Sequence, residues 1–290
     1  MINYDGLRAL EAVIRFQSFE KAATDLRVTQ SAVSQRIGNL ESFVGEKVLI
    51  RKSPYRPTAV GREYLTLLRR VNVLESEFLE SREESRLRTL NIAINKDSLD
   101  LWFYQFFESE ELAGKLIVEI VTDDQEFTLD YVKSGRSDMC ISSKAKPLPN
   151  YDVVLLGEME YRLVGTPDFV RRFFPRGLNP EALAKAPAVI FDEKDLLHFK
   201  FFENFFEYRG EFPQHRVPSI LGYKKAITSG FGYGLLPLLD IECELKEGVV
   251  VPMTPGKSLK LPLYLHHWQY QTPIAKIVVD HIVEISRFIK

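Results

Sequence analysis

Residues 18–51 read SFEKAATDLRVTQSAVSQRIGNLESFVGEKVLIR, and this stretch decides the fold of the N-terminal part of the chain. Phe19, Ala22, Ala23 and Leu26 recur at i, i+3, i+4 and i+7, which is one apolar face of a helix. Val28 marks a tight turn, and Thr29 is placed to cap a second helix by accepting a hydrogen bond from a free backbone N–H. In that second helix Ala32, Val33, Ile37 and Leu40 point inward and leave Gln30, Ser31, Ser34, Gln35 and Arg36 on the outer face. Small and amide side chains near a helix N-terminus reach base edges, and an arginine meets phosphate or guanine. The spacing predicts a helix-turn-helix. A pair of surface helices with a solvated polar face is the competing reading.

The flanks favour DNA. Leu49-Ile50-Arg51-Lys52 followed by Ser53-Pro54-Tyr55-Arg56-Pro57-Thr58 predicts a two-stranded wing whose basic tip carries Arg51, Lys52 and Arg56 toward phosphates. The expected DNA-contact set is Gln30, Ser31, Ser34, Gln35, Arg36, Arg51, Arg56 and Thr58. Residues 1–72 hold 12 Lys+Arg against 7 Asp+Glu, whereas the remainder holds 26 against 33. A basic head on an acidic body fits DNA binding at one end only.

The run from Leu7 through Phe16, the pattern SFEKAA…L.VTQSAVSQRIGNLE…G…L..R and the RPT..G after the wing resemble the LysR-type family of bacterial transcriptional regulators. The resemblance spans the whole chain. It implies a DNA-binding, ligand-responsive regulator that is not an enzyme and needs no cofactor. It also implies a homodimer or tetramer, acting on a two-fold symmetric operator and meeting RNA polymerase at the promoter. The expected domains are a winged helix-turn-helix head at 1–57, a linker helix and hinge at 58–88, and an effector-binding α/β domain at 89–290. Within the last, the first lobe is expected at 89–164 and 263–290, the second at 165–262.

The linker reading comes from the residues as well. Val60, Tyr64, Leu67, Val71, Leu74 and Phe78 step by alternating fours and threes, a heptad seam suited to pairing with a second copy of the same helix. Packing against its own domain is the alternative. The polar run from Ser81 to about Arg88 reads as a hinge.

From Thr89 strands alternate with helices: Leu90–Ile94, a helix from Ser98 to Glu111, Leu116–Val121, a helix to about Ser134, then Met139–Ile141. A second set includes Ala188–Phe191 and Tyr233–Pro237, and the chain closes with a strand at Leu263–His267 and a helix from Ile274. Such alternation gives an open sheet with helices on both faces and ligands beyond the strand ends. The family resemblance makes this a two-lobed, periplasmic-binding-protein-like domain with a cleft.

The candidate ligand groups stand at those strand ends. Asn95, Asp97 and Ser98 open the helix after the first body strand, where a hydroxyl and free N–H groups suit a carboxylate. Asp123, Asp124 and Asp192 would suit an ammonium or guanidinium group. Each alone could simply cap a helix. Ser142 adds a hydroxyl. The Asn95-Lys96-Asp97-Ser98-Leu99…Trp102 run, APAVIFDEKDLLH (Ala186 to His198) and RPT…LLRRV..LE (Arg56 to Glu75) resemble the ArgP/LysG branch of the family. That branch senses lysine or arginine and activates a basic-amino-acid exporter gene. The chain departs from it at Ile220-Leu221-Gly222, just before the Ala226 helix, where the branch carries an acid.

Other classes fit less well. MINYDGLRAL is not a secretion signal and no apolar run approaches a bilayer span, so a cytoplasmic protein is expected and a solute-binding protein is disfavoured. Cys140 and Cys243 lack basic surroundings, which argues against a redox switch. His198, His215, His266, His267 and His281 show no metal-ligand spacing. Gly230-Phe-Gly-Tyr-Gly follows a helix and precedes a strand, so it reads as a cap and turn rather than a phosphate loop.

Overall fold

The computed structural model describes residues 2–80 and 87–289. The chain forms two compact units, Met1–Ile94 with Phe106–Val154 and Leu265–Glu284, and Asn95–Gln105 with Leu155–Tyr264 and Ile285–Lys290.

In the first unit the head helices begin where side chains can satisfy free N–H groups. Helix α1 (Tyr4–Phe16) starts at Asn3, whose Oδ1 accepts the Gly6 N–H at 2.9 Å. Ser18 caps α2 (Phe19–Asp25), and Thr29 caps α3 (Gln30–Val44) by accepting from the Ala32 N–H at 3.2 Å. Leu7, Leu10, Ile14, Val33, Ile37 and Leu40 form the fully buried core of this bundle, with Phe19 and Leu26 packed against it. Strands β1 (Leu49–Ile50) and β2 (Arg56–Pro57) pair antiparallel, with Ile50 opposite Arg56, and make the wing. Gln17 ties the wing to α1, its amide donating to the Ile14 carbonyl at 2.7 Å and the Tyr55 carbonyl at 2.9 Å.

Helix α4 (Ala59–Glu80) follows directly. Its apolar residues serve two faces. Leu65 and Leu68 are buried in the head core, and Tyr64 packs against it. Farther along, Leu74 is 64% and Phe78 61% exposed. Of the expected seam, Tyr64 leans on the head, whereas the Leu74 and Phe78 side chains are exposed on this chain. The expected hinge at Ser81–Arg86 lies outside the described residues, and Arg88 already belongs to the next strand.

Strand β3 (Arg88–Ile94) is followed by α5 (Lys96–Leu101), β4 (Leu116–Thr122), α6 (Thr128–Lys133) and β5 (Met139–Ser142). β3 pairs in parallel with both β4 and β5, placing Ile92 opposite Ile120 and Met139. Ile92, Ala93, Ile94, Cys140 and Ile141 are continuously buried, as parallel strands covered on both faces require. The helix expected from Ser98 to Glu111 is shorter. α5 ends at Leu101 because Trp102 leaves helical geometry, with φ −143° and ψ −33°, and a 3-10 turn at Phe103–Glu108 continues the chain. Trp102, Phe103 and Phe106 are buried, so aromatic packing overrides the helical pattern.

Strand β6 (Tyr151–Gly165) was not expected from the sequence; it leaves the first unit and enters the second at Val154–Leu155. The second unit continues through α7 (Pro167–Phe173), α8 (Pro180–Leu183), β7 (Ala188–Ile190), α9 (Leu197–Phe206), β8 (Gln214–Arg216), α10 (Ile220–Thr228), β9 (Gly234–Pro237), α11 (Leu238–Lys246) and β10 (Val251–Pro252). There β6 pairs antiparallel with β9 and β10, and β7 runs parallel to β8. Strand β11 (Leu259–Trp268) returns the chain to the first unit, which α12 (Pro273–Ile285) completes. The units thus divide within strands, at 154/155 and 264/265, rather than at the expected 164/165 and 262/263. Residues 95–105 group with the second unit, not the first. Ile220-Leu221-Gly222 is the first turn of α10, capped by Ser219, rather than a segment preceding that helix.

Gly61 shows how tightly the wing joins α4. A Cβ there would lie 2.1 Å from the Val48 carbonyl oxygen, the atom that accepts the Thr58 N–H at 3.0 Å. Alanine in place of a helical glycine ordinarily stabilises by roughly 1 kcal/mol. Gly61→Ala should instead destabilise by about 1–3 kcal/mol through overpacking against backbone, read as a lower urea midpoint at unchanged slope. A midpoint equal to or above that of the natural chain would show that this junction is not close-packed.

Candidate functional site

The outer face of α3 presents Gln30, Ser31 and Gln35 exposed, and Ser34 and Arg36 half-buried. The Ser31 hydroxyl lies 2.9 Å from that of Thr29, and an Arg36 guanidinium nitrogen lies 3.8 Å from the Asp5 carboxylate of α1. At the wing, Arg51, Lys52 and Arg56 are exposed. Arg51 stands 3.6 Å from the Glu41 carboxylate, which is itself buried and accepts from the Val48 N–H. Thr58 differs from expectation. Its hydroxyl donates its one proton to the Lys47 carbonyl at 2.7 Å and accepts the Gly61 N–H at 3.0 Å, so it braces the junction and has no donor left for a phosphate. The rest of the set lies on α3 and the wing of the head.

In the second unit, Asn95, Asp97, Ser98 and Asp192 come from two neighbouring segments. Lys96 lies with its ammonium 4.3 Å from the centre of the Phe191 ring, which links the start of α5 to the end of β7. Asn95 and Ser98 are buried, and among the described residues neither Asn95 Oδ1 nor Ser98 Oγ has a hydrogen-bond partner. Buried polar atoms left unpaired cost free energy and call for a ligand or another explanation. Asn95 occupies the cap position of α5 without making the side-chain cap bond. Burial pushes the Asp97 carboxyl up to about 6, opposed by the Tyr161 hydroxyl, which donates to it at 2.6 Å. Asp192 accepts the Lys194 N–H at 2.8 Å. The loop beyond is braced by Asp195, which accepts from the Phe191 and Leu197 N–H groups.

In the first unit, the remaining candidates hold their own loop together. Asp123 accepts from the Asp124 N–H and the Tyr131 hydroxyl, and Asp124 accepts from the Glu126 N–H. Ser142 is buried, donating to the Gln125 carbonyl at 3.0 Å and accepting from the Lys144 N–H. These bonds give all three a structural role in the turn before α6.

Sequence reasoning missed Tyr161, Lys96 and Asp195. Tyr161 lies on β6, whose run YDVVLLGEMEYRLVG is rich in residues favoured in strands and was the signal available. His198 is fully buried beside Phe202, Phe212 and Tyr233, and burial pushes its imidazole down to about 4, so it is a neutral core residue at pH 7.

Residues 4–62 match the family described as bacterial regulatory helix-turn-helix protein, lysR family, and residues 108–286 match the LysR substrate binding domain. The chain is 37% identical to the HTH-type transcriptional regulator ArgP of Vibrio cholerae, over 99% of this chain and 97% of that protein. The crystal structure of ArgP from Mycobacterium tuberculosis superposes with a TM-score of 0.84 at 32% identity, covering 98% of this chain and 97% of that one. Full-length LysG from Corynebacterium glutamicum with bound effector Arg gives 0.79 at 28% identity, covering 99% and 98%. With both family domains matched along its length, this chain belongs to the LysR family of bacterial transcriptional regulators.

Proposed function

We propose that this regulator is controlled by a free basic amino acid, lysine or arginine, and that it acts on an amino-acid exporter gene. The observation that carries the effector reading is the pair of buried, unpaired polar atoms, Asn95 Oδ1 and Ser98 Oγ, flanking the Asp97 carboxylate. A ligand carrying both a carboxylate and an ammonium group would satisfy them together: Ser98 donates to the carboxylate, and Asn95 and Asp97 accept from the ammonium. Asp192 stands ready for the distal cation, although Lys96 over Phe191 brings a positive charge into that neighbourhood. Likeness to ArgP proteins and to LysG with bound Arg supports the same reading. On the DNA, Gln30, Ser34, Gln35 and Arg36 enter the major groove and Arg51 and Arg56 meet phosphates. Two copies pair through α4, along the seam of Val60, Tyr64, Leu67, Val71, Leu74 and Phe78.

Gln35→Ala should relax sequence preference, because an amide reading adenine contributes about 1–3 kcal/mol of discrimination. Arg56→Ala should weaken all sequences alike and flatten the salt dependence. A changed preference with an unchanged salt slope in Arg56→Ala would remove the wing from the phosphate contacts.

Calorimetric titration tests the effector. With Asp97 near 6, its carboxylate is charged at pH 7.5 and neutral well below 6, so arginine affinity should fall as pH drops through that value. Asp97→Asn should bind weakly and lose this pH dependence. Asp192→Asn should reduce lysine and arginine affinity roughly ten- to a hundredfold, the loss of a hydrogen bond to a charged group, while sparing norleucine. A natural chain that ignores both basic amino acids but binds an acidic or aromatic metabolite would replace this reading with another effector.

A further inference from the structure

Two consecutive arginines on α4 hold the body of the first unit in an unusual way. Arg69 donates to the Tyr151 hydroxyl at 2.6 Å and lies 5.9 Å from the centre of the Trp268 ring. Arg70 donates to Asn150 Oδ1 at 3.1 Å and to the Tyr270 hydroxyl at 3.3 Å, with its guanidinium 4.7 Å from that ring's centre. The contacted residues fall at two places. Tyr151 begins β6 and Asn150 immediately precedes it, while Trp268 ends β11 and Tyr270 lies two residues beyond it. β6 and β11 are the strands in which the chain passes out of the first unit and back into it. Tyr151 and Trp268 also pack edge-to-face at 5.3 Å, so the two strand ends and the two arginines form one cluster.

The surroundings suit a part that moves as a piece. Glu11 of α1 carries a carboxyl raised by burial and opposed by Arg69. At Gly135 a Cβ would come within 3.2 Å of an Arg69 guanidinium nitrogen, so the turn after α6 also closes on this side chain. A cavity of about 720 Å³ borders the cluster, lined in part by Glu11, Arg69, Asp138, Tyr151, Trp268 and Tyr270. The ion pair between Arg15 and Glu119 at 3.0 Å is half open to solvent and adds little holding power.

We infer that Arg69 and Arg70 are positioning residues that couple the linker helix, and the DNA-binding head packed on it, to the two strands connecting the body's compact units. Chain continuity from α4 to β3 runs through residues 81–86. The arginine cluster is a second connection, made of directional hydrogen bonds from planar guanidinium groups to three side chains, with Arg69 also over the Trp268 ring. Lysine in their place would keep charge and lose the fork geometry. Coupling is reciprocal, so perturbing the head must be felt at the strand ends as much as the reverse.

This inference does not depend on which effector binds. Hydrogen exchange of the full-length protein, free and bound to a DNA fragment selected from a random library by the natural chain, provides the test. DNA should change exchange at 150–154 and 266–270 in the natural chain. In the Tyr151→Phe/Arg70→Gln double variant that change should be lost, while affinity for the same fragment stays near the natural value and the thermal midpoint falls without loss of the folded state. Arg70→Lys should behave as the variant does. Arg70→Gln alone, at an exposed position, serves if the double variant unfolds, and should lose most of the DNA-induced change. Equal responses in the natural chain and the variants, or no response at those segments in the natural chain, would overturn the inference.

Discussion

The carbonyl oxygen of Val48 accepts the Thr58 N–H and sits where any side chain on Gly61 would have to go. This one contact joins the wing to the first turn of α4 with no slack. Thr58 closes the same junction from the other side, through Lys47 and Gly61. Because Leu65 and Leu68 then enter the head core, the head and the first half of the linker helix share one hydrophobic interior. The direction in which α3 faces is therefore set by the direction of α4. Any rearrangement that reorients the linker reorients the DNA-reading surface with it.

That rigidity gives the body something to act on. β3, β4 and β5 run parallel in the unit that also carries the head, with β5 and the end of β3 buried and β4 partly exposed. The arginine contacts from α4 land at the ends of β6 and β11, Arg69 on the terminal strand residues Tyr151 and Trp268 and Arg70 on Asn150 and Tyr270 just outside them. Strand ends held by their ladders move little on their own, so displacement there reports a change in the strands themselves. The effector candidates of the second unit lie on α5 and beside β7, where buried Asn95 and Ser98 retain unused polar atoms.

The head was legible because its determinants are local. Apolar spacing, the Ser18 and Thr29 caps and a basic tip between two short strands all lie within about forty residues, and each agrees with the others. The body was legible in its alternation but not in its joints. β6 went unread because Gly157 interrupts its strand-favouring run near the midpoint, while the strand is shared between two units. The helix after Ser98 stopped early because buried aromatics, not helix propensity, place Trp102 and Phe103. At the candidate site the residue types at strand ends were readable. Their hydrogen-bond commitments were not, since Ser142 depends on Gln125 and Asp97 on Tyr161, 64 positions away.

The order of the chain has a consequence for its synthesis. Among the described residues the head core draws on Ile2 to Leu68, so it can close soon after those residues leave the ribosome. The first unit's body cannot, because it needs Leu265–Glu284, and the second unit needs Ile285–Lys290. A chain interrupted anywhere in the last quarter would carry a finished DNA-reading head on an unfinished body. Such fragments would occupy operators without answering to any effector. The fold therefore places a premium on completing translation, or on removing products that fail to.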